Sequence, residues 1–187
     1  MSFKSTLQRH QKMIESLFEM EPQLNDLLAL ISDCVLNDNK VLFFGNGGSA
    51  SDAQHLAAEF VIRYKEDRRP LAAIALTTDT SILTAHSNDY SFETVFDRQI
   101  QALARPGDVA IGLSTSGNSA NVINGINAAK NSGCTTIAFT GQSGGQLKAI
   151  ADHCVCVADT ETARVQEGHI LIGHWLCEAL DEKLSKA

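Results

Sequence analysis

Val109-Ala110-Ile111-Gly112-Leu113 runs into Ser114-Thr115-Ser116-Gly117-Asn118-Ser119, an apolar stretch that ends in a hydroxyl-rich turn. An apolar run without alternation reads as a strand buried on both faces, and the turn opens a helical pattern to about Asn131. The same unit recurs on either side. Residues 41–45 lead into Asn46-Gly47-Gly48-Ser49 and a helix near 50–62, and residues 72–76 lead into 77–81 and helical segments up to about 104. Residues 135–139 lead into a Gly-rich turn and a short helix, and 154–157 precede a last helix over about 161–184. Strand–helix alternation of this kind predicts an α/β fold: a doubly wound, five-stranded parallel sheet flanked by helices, with right-handed crossovers. In such a sheet, ligands collect at the carboxyl ends of the strands.

Ahead of these units, residues from about 5 to 35 carry apolar positions at helical spacing, among them Met13, Leu17, Leu24, Leu28 and Val35, and Pro22 is expected to break the run into two helices. The expected organisation is one domain over 1–187, with an N-terminal helical arm at 1–37 and the α/β core and C-terminal helix at 38–187. The 187 residues carry 15 basic against 22 acidic side chains, a net charge of −7. No global positive field is then available for nucleic acid or an anionic membrane, so neither is expected as a partner. No stretch approaches a membrane span, and residues 1–16 are polar rather than signal-like, which predicts a cytoplasmic protein. Cys34, Cys134, Cys154, Cys156 and Cys177 lack C-x-x-C spacing and read as core thiols.

The two most informative turns follow the runs at 41–45 and 109–113. Ser114, Thr115, Ser116 and Ser119 put four hydroxyls beside Gly117 and before a helix. Hydroxyls, backbone N–H groups and the positive end of a helix dipole make an anion site without a lysine. Gly45-Asn46-Gly47-Gly48-Ser49 repeats the arrangement after the first strand, with glycines that allow close backbone approach. Either cluster alone is an ordinary turn; two at equivalent places in the fold point to a phosphorylated small molecule. Neither turn has the G-x-x-x-x-G-K-[ST] or G-x-G-x-x-G spacing, so no nucleotide cofactor is expected.

Gly45-Asn46-Gly47-Gly48-Ser49 with Asp52-Ala53-Gln54-His55, then Ser114-Thr115-Ser116-Gly117-Asn118-Ser119, then Arg164-Val165-Gln166-Glu167 resemble the sugar isomerase (SIS) domain family. Within it the likeness is to the members that isomerise sedoheptulose 7-phosphate. The resemblance implies a cytoplasmic homotetramer that converts sedoheptulose 7-phosphate to D-glycero-D-manno-heptose 7-phosphate for lipopolysaccharide cores, with sites between subunits. It implies zinc, one per subunit, on His55, Glu59, Gln166 and His174. It also implies substrate contacts from Asn46, Gly47, Gly48, Asn88, Asp89, Ser114, Thr115, Ser116, Ser119 and Gln166, with Ser49, Glu59 and Arg63 as additions. Two rivals share the loops: a non-enzymatic SIS protein that binds a replication initiator, in which the catalytic Glu and His are replaced, and an isomerase of another sugar phosphate. Glu59 and His174 are present here.

Aldose–ketose isomerisation moves a proton between C1 and C2 through an enediol(ate), which needs a base at carbon and an acid/base at oxygen. Glu59 is cast as the first and His174 as the second. His55 and Glu59 are four apart on a predicted helix, hence on one face, and are expected to project toward the cleft. Gln166 and His174 are eight apart, ~12 Å along an ideal helix, too far to share one ion. Either the last helix begins irregularly or ligands from different chains converge. His10, His153 and His169 read as structural, and His86 stays undecided beside Asn88 and Asp89. The apolar faces of the end helices exceed what one sheet face needs and point to packing between copies.

Overall fold

The computed structural model describes residues 2–185. Five parallel strands, β1 (Val41–Gly45), β2 (Ala73–Ala75), β3 (Val109–Leu113), β4 (Thr135–Thr140) and β5 (His153–Cys156), form one sheet in the order β2-β1-β3-β4-β5. The helices are α1 (Phe3–Ser16), α2 (Glu21–Leu36), α3 (Gly48–Val61), α4 (Thr80–Asp89), α5 (Val95–Leu103), α6 (Ala120–Asn131), α7 (Leu147–Ile150) and α8 (Thr162–Leu184). Every residue of β1 and β3 is buried, as a strand covered on both faces requires.

Side-chain alternation sorts the strands into two cores. Val41, Phe43, Ile111 and Phe139 point into a layer built with α1, α2, α3 and α8. Leu42, Phe44, Ala110 and Ala138 point into the layer with α5, α6 and α7. Phe43 meets Phe60 of α3 edge-on with ring centroids 5.5 Å apart, and Phe44 meets Phe96 of α5 at 5.4 Å.

The N-terminal region shows one difference from expectation, at Pro22. The N-terminal helices of the arm pack down onto the domain, with Met13, Leu24, Leu27 and Ile31 buried in the same core as the sheet, against α8. The break between them falls at a 3₁₀ turn, Phe18–Met20, and Pro22 sits in the first turn of α2. That position has no intrahelical N–H bond to lose, so proline starts this helix and does not break one. Cys34, Cys134 and Cys177 are buried and Cys154 and Cys156 half-buried, all as free thiols. No helix among the described residues is long and apolar enough to cross a membrane.

Candidate functional site

Strand order reverses around β1, so the turns after β1 and β3 border the crevice that such a reversal opens. Asn46 follows β1 and Asn121 lies in the first turn of α6, and their side-chain amides bond reciprocally across this crevice. Nδ2 of Asn46 donates to Oδ1 of Asn121 at 2.8 Å, and Nδ2 of Asn121 donates back to Oδ1 of Asn46 at 2.9 Å. Asn121 is buried and escaped the sequence reading, since an amide between Ala120 and Val122 carries no signal of its own. Ser49 is buried behind the first turn, with its N–H on the Asn46 carbonyl at 3.0 Å.

On the β3 side the Ser114 and Ser119 hydroxyls lie 2.9 Å apart and the Ser116 hydroxyl 3.5 Å from Ser114. Ser119 occupies the N-cap of α6, yet its hydroxyl makes no capping bond. The Val122 and Ile123 amides close on the Ser119 carbonyl, both at 3.0 Å, and the Ala120 and Asn121 amides ahead of them are the ones a ligand at the helix start can use. Gly117 fits here with φ +67°, where a side chain would run into the Gly144 carbonyl of the next loop. That loop is fastened to the turn by Gly141 N–H on the Thr115 carbonyl and Leu147 N–H on the Gly117 carbonyl, at 3.0 and 3.1 Å. The hydroxyls of Ser114, Ser116 and Ser119 are thus brought together as a cradle, and Thr115 lies between them with its carbonyl tied to Gly141.

A second group forms lower on the molecule. Asp52, His55 and Glu59 lie along one flank of α3, spaced by three and four residues. His174 of α8 meets His55 with Nε2 atoms 2.8 Å apart, and Glu59 Oε1 is 3.7 Å from His55 Nε2. Burial lowers the His174 pKa, His55 lowers it further and Glu59 opposes both, a balance that favours the uncharged imidazole. His55 comes seven and Glu59 eleven residues after Gly48, ~10 and ~16 Å down the axis from the loop. Both therefore point at α8 from the flank of α3 and do not overhang the crevice.

Gln166 stands in the first turns of α8 and packs its amide against Gly48, where a Cβ would overlap it. It also faces Asp52, whose carboxyl is pushed up by burial against a hydrogen bond from Gln166 and the pull of His55. Oδ2 of Asp52 is buried without a partner. Because α8 is regular from Thr162 onward, an irregular start cannot bring Gln166 to His174. Two imidazoles and a carboxylate suit zinc by donor type. Nitrogens on one tetrahedral zinc stand roughly 3.3 Å apart, so the 2.8 Å contact would open by about half an ångström. Among the described residues no three His, Cys, Asp or Glu side chains are already disposed around one ion. His55, Glu59 and His174 fit zinc by chemistry; Gln166 does not join them within one chain.

Arg63 is exposed and donates to the Lys65 carbonyl at 3.0 Å. Asn88 and Asp89 close α4, with Asn88 Nδ2 donating to Asp89 Oδ1 at 2.8 Å, and no hydrogen bond among the described residues ties either to the two loops. His86 is buried against Thr94 and stacks on Tyr90, a structural role. His169 is buried on the Thr140 carbonyl, and His10 pairs with Glu167.

The SIS-domain family model matches residues 5–141. The chain is 59% identical over 160 residues to a phosphoheptose isomerase of Aquifex aeolicus, covering 86% of this chain and 84% of that one. It is 53% identical over 182 residues to a phosphoheptose isomerase of Geotalea daltonii, covering 97% and 95%. Among solved structures, the phosphoheptose isomerase GmhA from Neisseria gonorrhoeae superposes with a TM-score of 0.90 at 42% identity, covering 96% of each chain.

Proposed function

The chain belongs to the SIS-domain family, alongside its phosphoheptose isomerases, and from that premise we propose how its residues isomerise sedoheptulose 7-phosphate. It is a sugar-phosphate isomerase with the five-stranded parallel SIS fold. The observation that carries the reading is the convergence of Glu59, His55 and His174 on one flank of the fold that also holds a hydroxyl cradle. A carboxylate beside imidazoles is what enediol chemistry asks for.

In this reading the phosphate sits in the cradle of Ser114, Thr115, Ser116 and Ser119, held by hydroxyls and the open amides of α6. Asn46, Gly47, Gly48 and Ser49 border the sugar, with Asn88, Asp89, Arg63 and Gln166 as further contacts. Glu59 removes the proton from C1 of the ketose and returns it to C2. His174 donates to the carbonyl oxygen at C2 and takes the proton from the hydroxyl at C1. Zinc on His55, Glu59 and His174 would polarise the carbonyl and stabilise the enediolate charge.

The cradle and the histidine group are offset along α3, and Gln166 stays apart from His174. Both offsets favour a site completed by a second copy of the chain, in a homotetramer. An apolar groove of about 380 Å³ lined by Leu17, Phe18, Leu171 and Trp175 supports such packing, with Phe18 77% exposed in the single chain. The product would feed heptose for a lipopolysaccharide core, in the cytoplasm. Retention of Glu59 and His174 favours the enzyme over a binding-only relative.

The test is purified protein with sedoheptulose 7-phosphate, with and without a chelator, beside Glu59→Gln and His174→Asn. The aldose 7-phosphate accumulates with wild type only, all three scatter light as tetramers, and chelator slows the reaction. Absence of turnover by wild type would refute the assignment of substrate; a monomer that turns over would refute the shared site.

A further inference from the structure

Tyr64 lies outside every motif of the sequence, in the segment that leaves α3, yet its ring touches His174. The two rings stack with centroids 5.4 Å apart and planes 27° from parallel. His55 meets the same imidazole edge-on, at 78°. One face of the His174 ring is therefore covered by Tyr64 while its Nε2 is engaged by His55, and rotation of the ring breaks both contacts.

The segment carrying Tyr64 is fastened. The backbone N–H groups of Tyr64, Lys65 and Glu66 all donate to Oδ2 of Asp181, at 3.2, 2.7 and 3.0 Å. Asp181 follows His174 by seven residues on α8, so one helix presents both the imidazole and the anchor of the ring stacked on it. Arg68 closes the other end, with Nε on Oδ1 of Asp181 at 2.6 Å and its guanidinium on the carbonyls of Glu59 and Phe60, both at 2.9 Å. The ammonium of Lys65 bonds Glu178 and lies 5.6 Å from the Tyr64 ring centroid. The α3 residue Glu59 and the α8 residue His174 are thus referenced to one another through this short loop.

We infer that Tyr64 is a positioning residue for His174, holding the imidazole plane in the orientation that passes protons between the sugar oxygens. The inference rests on the reading of His174 as the acid/base. A catalytic group works within ~10–20° of its productive orientation, and small misplacements lose up to ~10²-fold in rate. Tyr64 acts by its ring face, so phenylalanine keeps the function and leucine does not.

The test compares Tyr64→Leu and Tyr64→Phe with wild type and His174→Asn in steady-state kinetics and in NMR of histidine-labelled protein. Tyr64→Leu is expected to lower kcat ~10–100-fold with KM unchanged, while Tyr64→Phe keeps wild-type kcat. The ring C–H resonances of His174 carry the upfield displacement of a stacked aromatic; they hold in Tyr64→Phe and move in Tyr64→Leu. Wild-type kcat in Tyr64→Leu, or His174 resonances that ignore it, would overturn the inference. Failure of the underlying reading looks different: His174→Asn would then turn over as fast as wild type, and the resonances alone decide whether Tyr64 holds the ring.

Discussion

Asp181→Asn removes one charge from the joint between α3 and α8, and the structure sets the size of the effect. The Asp181 side chain is 1% exposed and that of Arg68 2%. In wild type the carboxylate accepts three backbone N–H groups and the Arg68 Nε. An asparagine offers one oxygen and turns an NH2 toward donors, which leaves the guanidinium buried without its counter-charge. Breaking a buried pair in this way costs about 3–5 kcal/mol, out of a total of about 5–15 kcal/mol for a domain. At ~2–4 °C per kcal/mol for a chain of this size, the melting temperature falls by roughly 6–20 °C. Calorimetry or a urea titration followed by circular dichroism reads the loss directly. The effect also has a pH signature. Burial alone would raise the Asp181 pKa, but the Lys65 and Glu66 amides and Arg68 hold it below 3.8. A depressed carboxylate contributes stability that is present above its unfolded value and is lost as pH falls through the folded one. Wild type therefore loses this contribution only below about pH 4, and the variant has none to lose. A shift under 2 °C in the variant would refute the claim that this pair joins the helices.

Three further outcomes follow. Gly117→Ala must force a residue at φ +67° and displace the Gly144 backbone, so KM for the sugar phosphate rises and the melting temperature falls by several degrees; wild-type KM would contradict the cradle assignment. Burial holds His169 neutral, with its pKa lowered to about 4 against a bond to the Thr140 carbonyl. Its contribution is present above the ordinary value of 6.5 and lost as pH falls toward 4, roughly 3 kcal/mol across the window, and His169→Asn flattens that slope in urea titrations. Burial pushes Cys34 and Cys134 up to about 11 and Cys177 to about 12, so native protein at pH 7.5 leaves these thiols unalkylated by iodoacetamide while unfolded protein yields all five.

The sheet was legible because buried parallel strands write themselves as unbroken apolar runs. The runs at 41–45 and 109–113 matched β1 and β3 to the residue, whereas the short edge strand β2 began one residue late and ended one early. Edge strands are set by pairing with a neighbour, which periodicity does not record. The turns after β1 and β3 were legible for the same reason the crevice exists, since both follow the point of reversed strand order. What stayed hidden were groups that matter by contact across the chain. Asn121 pairs with Asn46 over a gap of 75 residues, and Asp181 reaches the 64–66 amides over more than a hundred. Nothing at either end announces the other. Helical spacing put His55 and Glu59 on one face correctly, but gave no means of knowing that this face turns toward α8.

The central claim is that Glu59 carries the proton between C1 and C2. The direct measurement is the isomerisation of sedoheptulose 7-phosphate run in D2O, with deuterium followed at C2 of the aldose and C1 of the ketose by NMR. Wild type is expected to place solvent deuterium at both carbons, and Glu59→Gln at neither, while His174→Asn slows the exchange. Deuterium exchange at C1 by Glu59→Gln at the wild-type rate would contradict the account.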